Sequence, residues 1–262
     1  MISIIIPAYN CSATLSRTLA SLVAQTDQNF KTIIVNDCST EDIMPIVNNY
    51  SDELDINYIC HKKNMGCGMA RQTGIDNVKT SHFLFLDSDD ILMPYTIETF
   101  NAFIKTNPQA ELVCSYFYEQ GKSIEGVPVY LLQQNGFTWC HGKLYSLEAV
   151  KRFNISNVPS IRWADDSYFN AICYELLNIQ IIKLPTYIWT NTQTSAMRKK
   201  DSKREKEKCT DLLKAMILSC EFISQYKDSI DFVANTANYI EHKFKLSDEE
   251  LKLLRQLRSF VK

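Results

Sequence analysis

The stretch FLFLDSDDIL, residues 83–92, runs from an unbroken apolar segment straight into the carboxylates of Asp87, Asp89 and Asp90. Apolar residues on both faces describe a strand buried on both sides, as in a parallel sheet covered by helices. Carboxylates this close repel one another, and apolar surroundings raise the cost of their charge. A cation is the expected remedy. If the chain stays extended past Leu86, Asp87 and Asp89 share one face and Asp90 takes the other. Hard oxygen donors at that spacing suit Mg²⁺ or Mn²⁺, above all when the ion also meets a diphosphate. The competing reading makes one Asp a cap for the helix near Pro94 and leaves the others solvated.

Upstream of this stretch the pattern repeats. SIIIP (3–7), KTIIVND (31–37), INYICHKK (56–63) and HFLFLD (82–87) read as strands, and the segments between them carry helical spacing, as in Leu15, Leu19, Leu22 and Val23 behind a candidate cap at Ser12. Pro45 fits a helix only near its first turn. Alternating strands and helices predict an α/β fold with a mostly parallel central sheet flanked by helices. In such sheets ligands bind beyond the carboxyl ends of the strands, so PAYN, VNDCS, KKNMGCG and LDSDD should frame one crevice.

Each strand end offers chemistry. Pro7 fixes the backbone and Tyr9 could face a base, while Asp37 could accept from a pyrimidine imide N–H; either alone is equally an ordinary turn residue. Gly66 and Gly68 lead into a helix carrying Arg71, a combination that lets a backbone approach phosphate. It is neither the dinucleotide fingerprint nor a P-loop. Further on, IRWADDSYF (161–169) places Asp165 and Asp166 between Trp163 and Tyr168, where a carboxylate can serve as a general base or cap a helix. His141 has three readings: a third metal ligand, a phosphate donor or, the favoured one, a partly buried structural histidine.

Composition narrows the classes. The chain has 262 residues with a formal net charge of −2, which gives no general electrostatic reason to expect nucleic acid or an anionic membrane as partner. MISIIIPAYN reads as a buried strand rather than a signal segment, and no segment approaches the roughly 18 apolar residues of a membrane span. Nine scattered cysteines without a C-x-x-C pair indicate reduced, mostly buried thiols and a cytoplasmic protein, with peripheral membrane attachment open.

Taken in order, SIIIPAYN, IIVNDCST, NMGCGMARQTGI, FLFLDSDD and WADDSYF resemble the inverting family 2 nucleotide-sugar glycosyltransferases of the GT-A fold, over roughly residues 1–195. The resemblance implies a nucleotide-sugar donor, with UDP the favoured nucleotide, and a glycan or lipid-linked saccharide acceptor. It assigns Pro7, Tyr9, Asp37, Asn64, Gly66 and Arg71 to the nucleotide, Asp87 and Ser88 to the ribose or sugar, Asp89 to Mn²⁺ or Mg²⁺, and Asp166 to the catalytic base. Asp165 stands where the family commonly has Glu, and Asn36 and Cys38 where it often has Asp and Gly. A non-catalytic sugar-nucleotide-binding subunit is the alternative function.

The implied division is a nucleotide-sugar-binding half (1–95), an acceptor half (96–200) and a helical C-terminal extension (201–262). Within the extension LSDEELKLLRQLRSFV carries a capping box, Ser247 with Glu250, and an apolar face at Leu254, Leu257 and Val261. The basic run 197–208 reads as a solvated helix face, a lid or a phosphate or lipid contact. Packing on the catalytic domain, dimer formation and membrane contact are all open to the extension.

Overall fold

Strand β1 (Ile2–Ala8) sits inside the sheet because every one of its side chains is buried, leaving no face for water. In the computed structural model, which describes all residues except 122, 124–126, 137, 191–201, 228 and 261–262, β1 pairs in parallel with β2 (Phe30–Asn36) and β4 (His82–Phe85). Strand β3 (Ile56–Cys60) adds in parallel to β2. The order of the whole sheet is β3-β2-β1-β4-β8-β6-β9-β5, with β7 paired to β6. Beyond β4 it is mixed: β8 (Lys143–Ser146) runs antiparallel to both β4 and β6 (Leu112–Gln120), while β6 and β9 (Ile179–Trp189) are parallel. Strands β5 (Ile91–Leu92) and β7 (Tyr130–Gln133) pair antiparallel with β9 and β6.

Period-two alternation sends each strand into two cores. Ile2, Ile4, Ile6, Ile34, Leu84 and Leu86 pack against α1 (Leu15–Val23), α2 (Met44–Asn48) and α4 (Thr96–Thr106). Ile5, Ile33, Val35, Phe83 and Phe85 face α3 (Cys67–Asp76), α5 (Leu147–Arg152) and α6 (Asp165–Leu176). Gly74 explains the tightness on this second side, since a Cβ there would come within 2.2 Å of Ile5 Cγ2.

The C-terminal helices belong to that second core. In α7 (Ser202–Ile223) the buried Cys209, Leu213, Met216, Cys220 and Ile223 recur at helical spacing toward α6, and Leu254 and Leu257 of α9 (Asp248–Arg258) join them with α8 (Val233–Lys243). The capping box forms as read, Ser247 accepting from the Glu250 amide and Glu250 accepting from the Ser247 amide. Val261 and the first part of the basic run, residues 197–201, lie outside the described residues. No described helix is long and apolar enough to cross a membrane.

Several local expectations shift. Helix α1 begins at Leu15 with Thr14 as an uncapped N-cap residue; Ser12 stands two residues before it and bonds Glu41 instead, through its amide at 3.1 Å and through its hydroxyl. Pro45 does fall in the first turn of α2. All nine cysteines are free and six are buried, consistent with thiols used for packing.

Candidate active site

The parallel strands deliver their carboxyl ends to one edge, and the loops there are tied to each other. Asn10, in the left-handed region at φ 49°, accepts from the Thr40 amide at 2.9 Å and joins the loops after β1 and β2. Tyr9 beside it is 48 % exposed and free to offer a face. Asn36 ties the turn after β2, its Oδ1 accepting from the Ser39 amide at 2.9 Å while its Nδ2 donates to Tyr58 Oη at 2.7 Å. Cys38 takes φ 58°, the conformation that a glycine would adopt without strain. Cys38→Gly is expected to stabilise the fold by up to about 1 kcal/mol, read as a small rise in melting temperature. A lower melting temperature would show that the thiol contributes more than its backbone costs.

Asp37 is buried and its carboxylate is already dense with donors. Oδ1 meets His61 Nδ1 at 2.7 Å and the Met65 amide at 2.8 Å, and Oδ2 accepts from the Gly66 amide at 2.8 Å. Oδ2 has one acceptor position left, which fits a base N–H. His61 in turn reaches Thr73 Oγ1 at 2.9 Å, fastening the end of β3 to α3. Sequence reasoning overlooked His61; its only signal was a position just past a strand. Asn64 Nδ2 donates to the Asp37 carbonyl at 3.2 Å, so the whole 61–66 turn wraps this one residue.

Gly66 and Gly68 do different work. Gly66 has φ 91°, a conformation open to glycine, and nothing lies near its absent Cβ. A Cβ on Gly68 would sit 2.7 Å from Asp165 Cβ, so here α3 and α6 touch. That approach brings Arg71 between the start of α6 and the chain just past β4. Its Nη1 meets Asp165 Oδ2 at 2.5 Å and its Nη2 meets Asp87 Oδ1 at 2.8 Å, with the guanidinium almost wholly buried. Arg71 is thus placed as a clamp on carboxylates rather than at the tip of the helix, which starts four residues earlier.

The carboxylates opened on in FLFLDSDDIL have unequal surroundings. Burial pushes Asp87 upward, but Arg71 and then His141 outweigh it and hold the carboxyl below its ordinary value. Asp90 is raised well above the ordinary range by burial and by the neighbouring Asp87 and Asp89. Tyr187 Oη donates to it at 2.7 Å and the Thr190 amide at 2.7 Å, which fixes the turn. Asp90 also belongs to a cluster in which it, Asp87 and His141 present ligand atoms within 4.8 Å of one another. His141 Nε2 stands 4.0 Å from each carboxylate, its ring stacks on Tyr187 at 4.9 Å, and its Nδ1 is buried without a hydrogen-bond partner. Burial pushes His141 down to about 4, so at neutral pH it is a neutral imidazole able to ligate. The Asp89 backbone carbonyl is gripped by Arg17 Nη2 at 2.7 Å and by Thr190 Oγ1. Ser88 hydrogen-bonds the Cys11 thiol. A half-buried carboxylate and a fully buried one facing a neutral imidazole, with the buried carboxyl raised for want of positive charge, fit a divalent cation.

Asp165 and Asp166 open α6. Asp165 is buried against Arg71, and burial keeps it above the ordinary range even so. Asp166 is partly exposed; burial, and next the charge of Asp165, push it up to about 7. Its Oδ1 accepts from the Ser167 amide at 2.7 Å. One turn on, the fully buried Asn170 spends its side chain on holding this turn: Nδ2 donates to the Asp166 carbonyl at 2.8 Å, while Oδ1 accepts from Tyr145 Oη at 2.7 Å and Lys143 Nζ at 3.0 Å. Lys143 is a buried brace. Trp139 is 39 % exposed at the rim, its ring tilted against Trp189.

The loops at the carboxyl ends of the parallel strands, the Asp87–Asp90–His141 cluster and the partly exposed Asp166 lie together on one side of the sheet, and a family model described as glycosyl transferase family 2 matches residues 3–173. The chain belongs to that family. An uncharacterized glycosyltransferase of Haemophilus influenzae is 37 % identical over 113 residues, 43 % of this chain and 37 % of the relative. The Escherichia coli UDP-Glc:alpha-D-GlcNAc-diphosphoundecaprenol beta-1,3-glucosyltransferase WfaP is 35 % identical over 129 residues, 48 % of this chain and 50 % of the relative. The chain therefore spans about half or less of the length of these curated relatives. S. aureus TarS 1–349 in complex with UDP-GlcNAc shares the fold with a TM-score of 0.77 at 20 % identity, over 99 % of this chain and 83 % of that one. The fold is GT-A, as the motif order implied.

Proposed function

We propose that the chain is an inverting, metal-dependent glycosyltransferase that moves a hexosyl or N-acetylhexosaminyl group from a UDP-sugar to a hydroxyl of a glycan or lipid-linked saccharide. The observation that carries this reading is Asp166: a carboxylate raised to about 7, partly open to the crevice, on a helix that Arg71 clamps to Asp87 at the donor side. A base poised near the working pH is what deprotonation of an acceptor hydroxyl needs. The UDP-sugar assignment draws on WfaP and TarS, whose names and ligands are uridine-based. WfaP, whose name gives a diphosphoundecaprenol-linked acceptor, also motivates an acceptor on a lipid diphosphate.

In this reading Tyr9 covers the base and the remaining acceptor position of Asp37 Oδ2 takes its imide N–H. The loop 64–66 and Pro7 shape that pocket, and Asp87 and Ser88 face the ribose or sugar. Asp89 is a ligand of the divalent cation, with Asp87, Asp90 and His141 beside it. When bound, the cation neutralises the diphosphate that departs. Asp166 takes the proton of the acceptor hydroxyl, whose oxygen attacks the anomeric carbon from the face opposite the nucleotide. The C–O bond to the diphosphate breaks and the configuration inverts.

A screen of UDP-, GDP- and dTDP-sugars for hydrolysis, with and without Mn²⁺ or Mg²⁺, tests the donor class. UDP-sugars should be turned over, and only with the cation. A lack of turnover with every donor alongside tight UDP binding would favour the non-catalytic binding subunit. Asp89→Asn should weaken donor binding in the presence of the cation and leave cation-free binding alone; equal cation-dependent affinity by calorimetry would remove Asp89 from the ligand set.

A further inference from the structure

Helix α6 carries the proposed base in its second position, yet its entrance has no cap of its own. The N-cap residue is Ala164, which offers no side-chain acceptor. Within the first turn only the Ser167 amide finds a side-chain acceptor among the described bonds, Asp166 Oδ1, and nothing on α6 holds the chain that enters it. That entering segment is anchored from elsewhere. Asp211, on the facing helix α7, places Oδ2 3.1 Å from the amide of Arg162 and 3.1 Å from the amide of Trp163, the two residues that lead into Ala164. A carboxylate accepting two backbone N–H groups is a strong, charge-assisted anchor.

Two further contacts join the same helices at the same end. Lys208, one turn before Asp211, lies over the Trp163 ring at 5.6 Å. Ser219 Oγ shares its proton between the Ala215 carbonyl at 2.8 Å and the Tyr168 carbonyl at 3.3 Å, and Tyr168 is the residue whose amide closes the first turn of α6 on the Ala164 carbonyl. All three contacts come from α7, which lies wholly beyond residue 173, where the family-2 match ends.

We propose that Asp211 is a positioning residue for Asp166, and that the C-terminal extension supplies the anchor that the catalytic helix lacks. The proposal rests on the reading of Asp166 as the base. From the donor side Arg71 fixes α6 through Asp165; from the opposite side Asp211 fixes the segment before it. Asp166 lies between these two restraints. With the second one cut, the helix start can retreat or fray, and a displacement of about 1 Å at a reacting group can cost about 100-fold in rate.

The test uses the full chain in three forms: unmodified, Asp211→Ala, and Asp211→Asn, which keeps an oxygen that can accept both amides. Hydrogen exchange should speed up at Arg162, Trp163 and Tyr168 in Asp211→Ala and return toward normal in Asp211→Asn. With UDP-glucose and UDP-GlcNAc as probes, Asp211→Ala should lose about 10- to 100-fold in kcat with KM for the donor held within about twofold, and Asp211→Asn should recover most of it. Unchanged exchange in Asp211→Ala would overturn the anchor. Faster exchange with unchanged kcat would overturn the positioning role. Equal losses in both variants, with KM and melting temperature falling together, would show a global packing role instead. If the unmodified chain turns over neither donor, the base reading fails and the positioning role with it, while the exchange measurement still reports separately whether the anchor exists.

Discussion

Asp166→Asn should lose about 100- to 10,000-fold in turnover, the span that general-base catalysis commonly contributes, while binding of the UDP-sugar stays nearly intact. The amide has the same shape, and its Oδ1 can still accept from the Ser167 amide, which the carboxylate holds at 2.7 Å. Stability gives the control. In the folded chain Asp166 is raised from an ordinary value of 3.8 to about 7, by burial first and by Asp165 second. A raised carboxyl contributes stability that is fully present below 3.8 and is lost as pH rises through about 7. The amide does not titrate, so the variant should gain on the unmodified chain across that window and keep the advantage above it. Loss of activity combined with a flat or higher melting temperature at pH 8 is therefore the expected pair. The pH–rate profile adds a third reading: in the unmodified chain kcat/KM should rise with pH to a plateau with its midpoint near 7, as the base ionises. Turnover by Asp166→Asn at the normal rate would end the assignment.

Strand ends and their loops were the legible part of this chain. Buried parallel strands announce themselves as apolar runs, and a polar or glycine-rich turn after each run marks the crevice, so Tyr9, Asp37, Gly66 and Asp87 could be placed on one edge before any coordinates. What could not be read was pairing across the chain. Arg71 and Asp165 are 94 residues apart, and the contact depends on Gly68 letting α3 close on α6. Nothing in the local spacing of either motif reports that approach. The same holds for His141, read mainly as structural, which the antiparallel turn before β8 carries to within 4.0 Å of Asp87 and Asp90. Imidazole preference alone pointed away from a cation site, whereas burial that keeps the ring neutral points toward one. The extension was open between packing, dimer formation and membrane contact because an amphipathic helix does not say what its apolar face meets. Here α7 buries it against α6.

The clamp itself carries the largest stability prediction. Arg71 is the cation that allows Asp87 and Asp165 to sit in an apolar setting, with 7 % of its own side chain exposed and 8 % of that of Asp165. Arg71→Met keeps much of the packing volume and removes the charge, leaving two carboxylates without their guanidinium. Breaking a buried pair from one side costs about 3–5 kcal/mol, which for a chain of this size lowers the melting temperature by roughly 10 °C. The deficit should depend on pH in a defined direction. Asp87 is held below its ordinary value by Arg71, so its contribution is present above 3.8 and lost as pH falls below that; removing Arg71 abolishes it. Asp165, already raised by burial, rises further without its partner, so its charge becomes a cost as pH climbs from 3.8 toward neutrality. Both effects make Arg71→Met weakest at neutral pH and bring it closest to the unmodified chain below 3.8. Adding Asp165→Asn removes the more deeply buried of the two stranded charges and should recover a large part of the loss, because Asp87 is 29 % exposed and can be solvated. Additive destabilisation in the double variant, read from urea unfolding at neutral pH, would mean that the two side chains are not energetically coupled and that Arg71 stabilises the site by packing alone. Recovery of stability without recovery of turnover would place the remaining demand on Asp165, as the carboxylate that raises its neighbour Asp166 into the working range of a base.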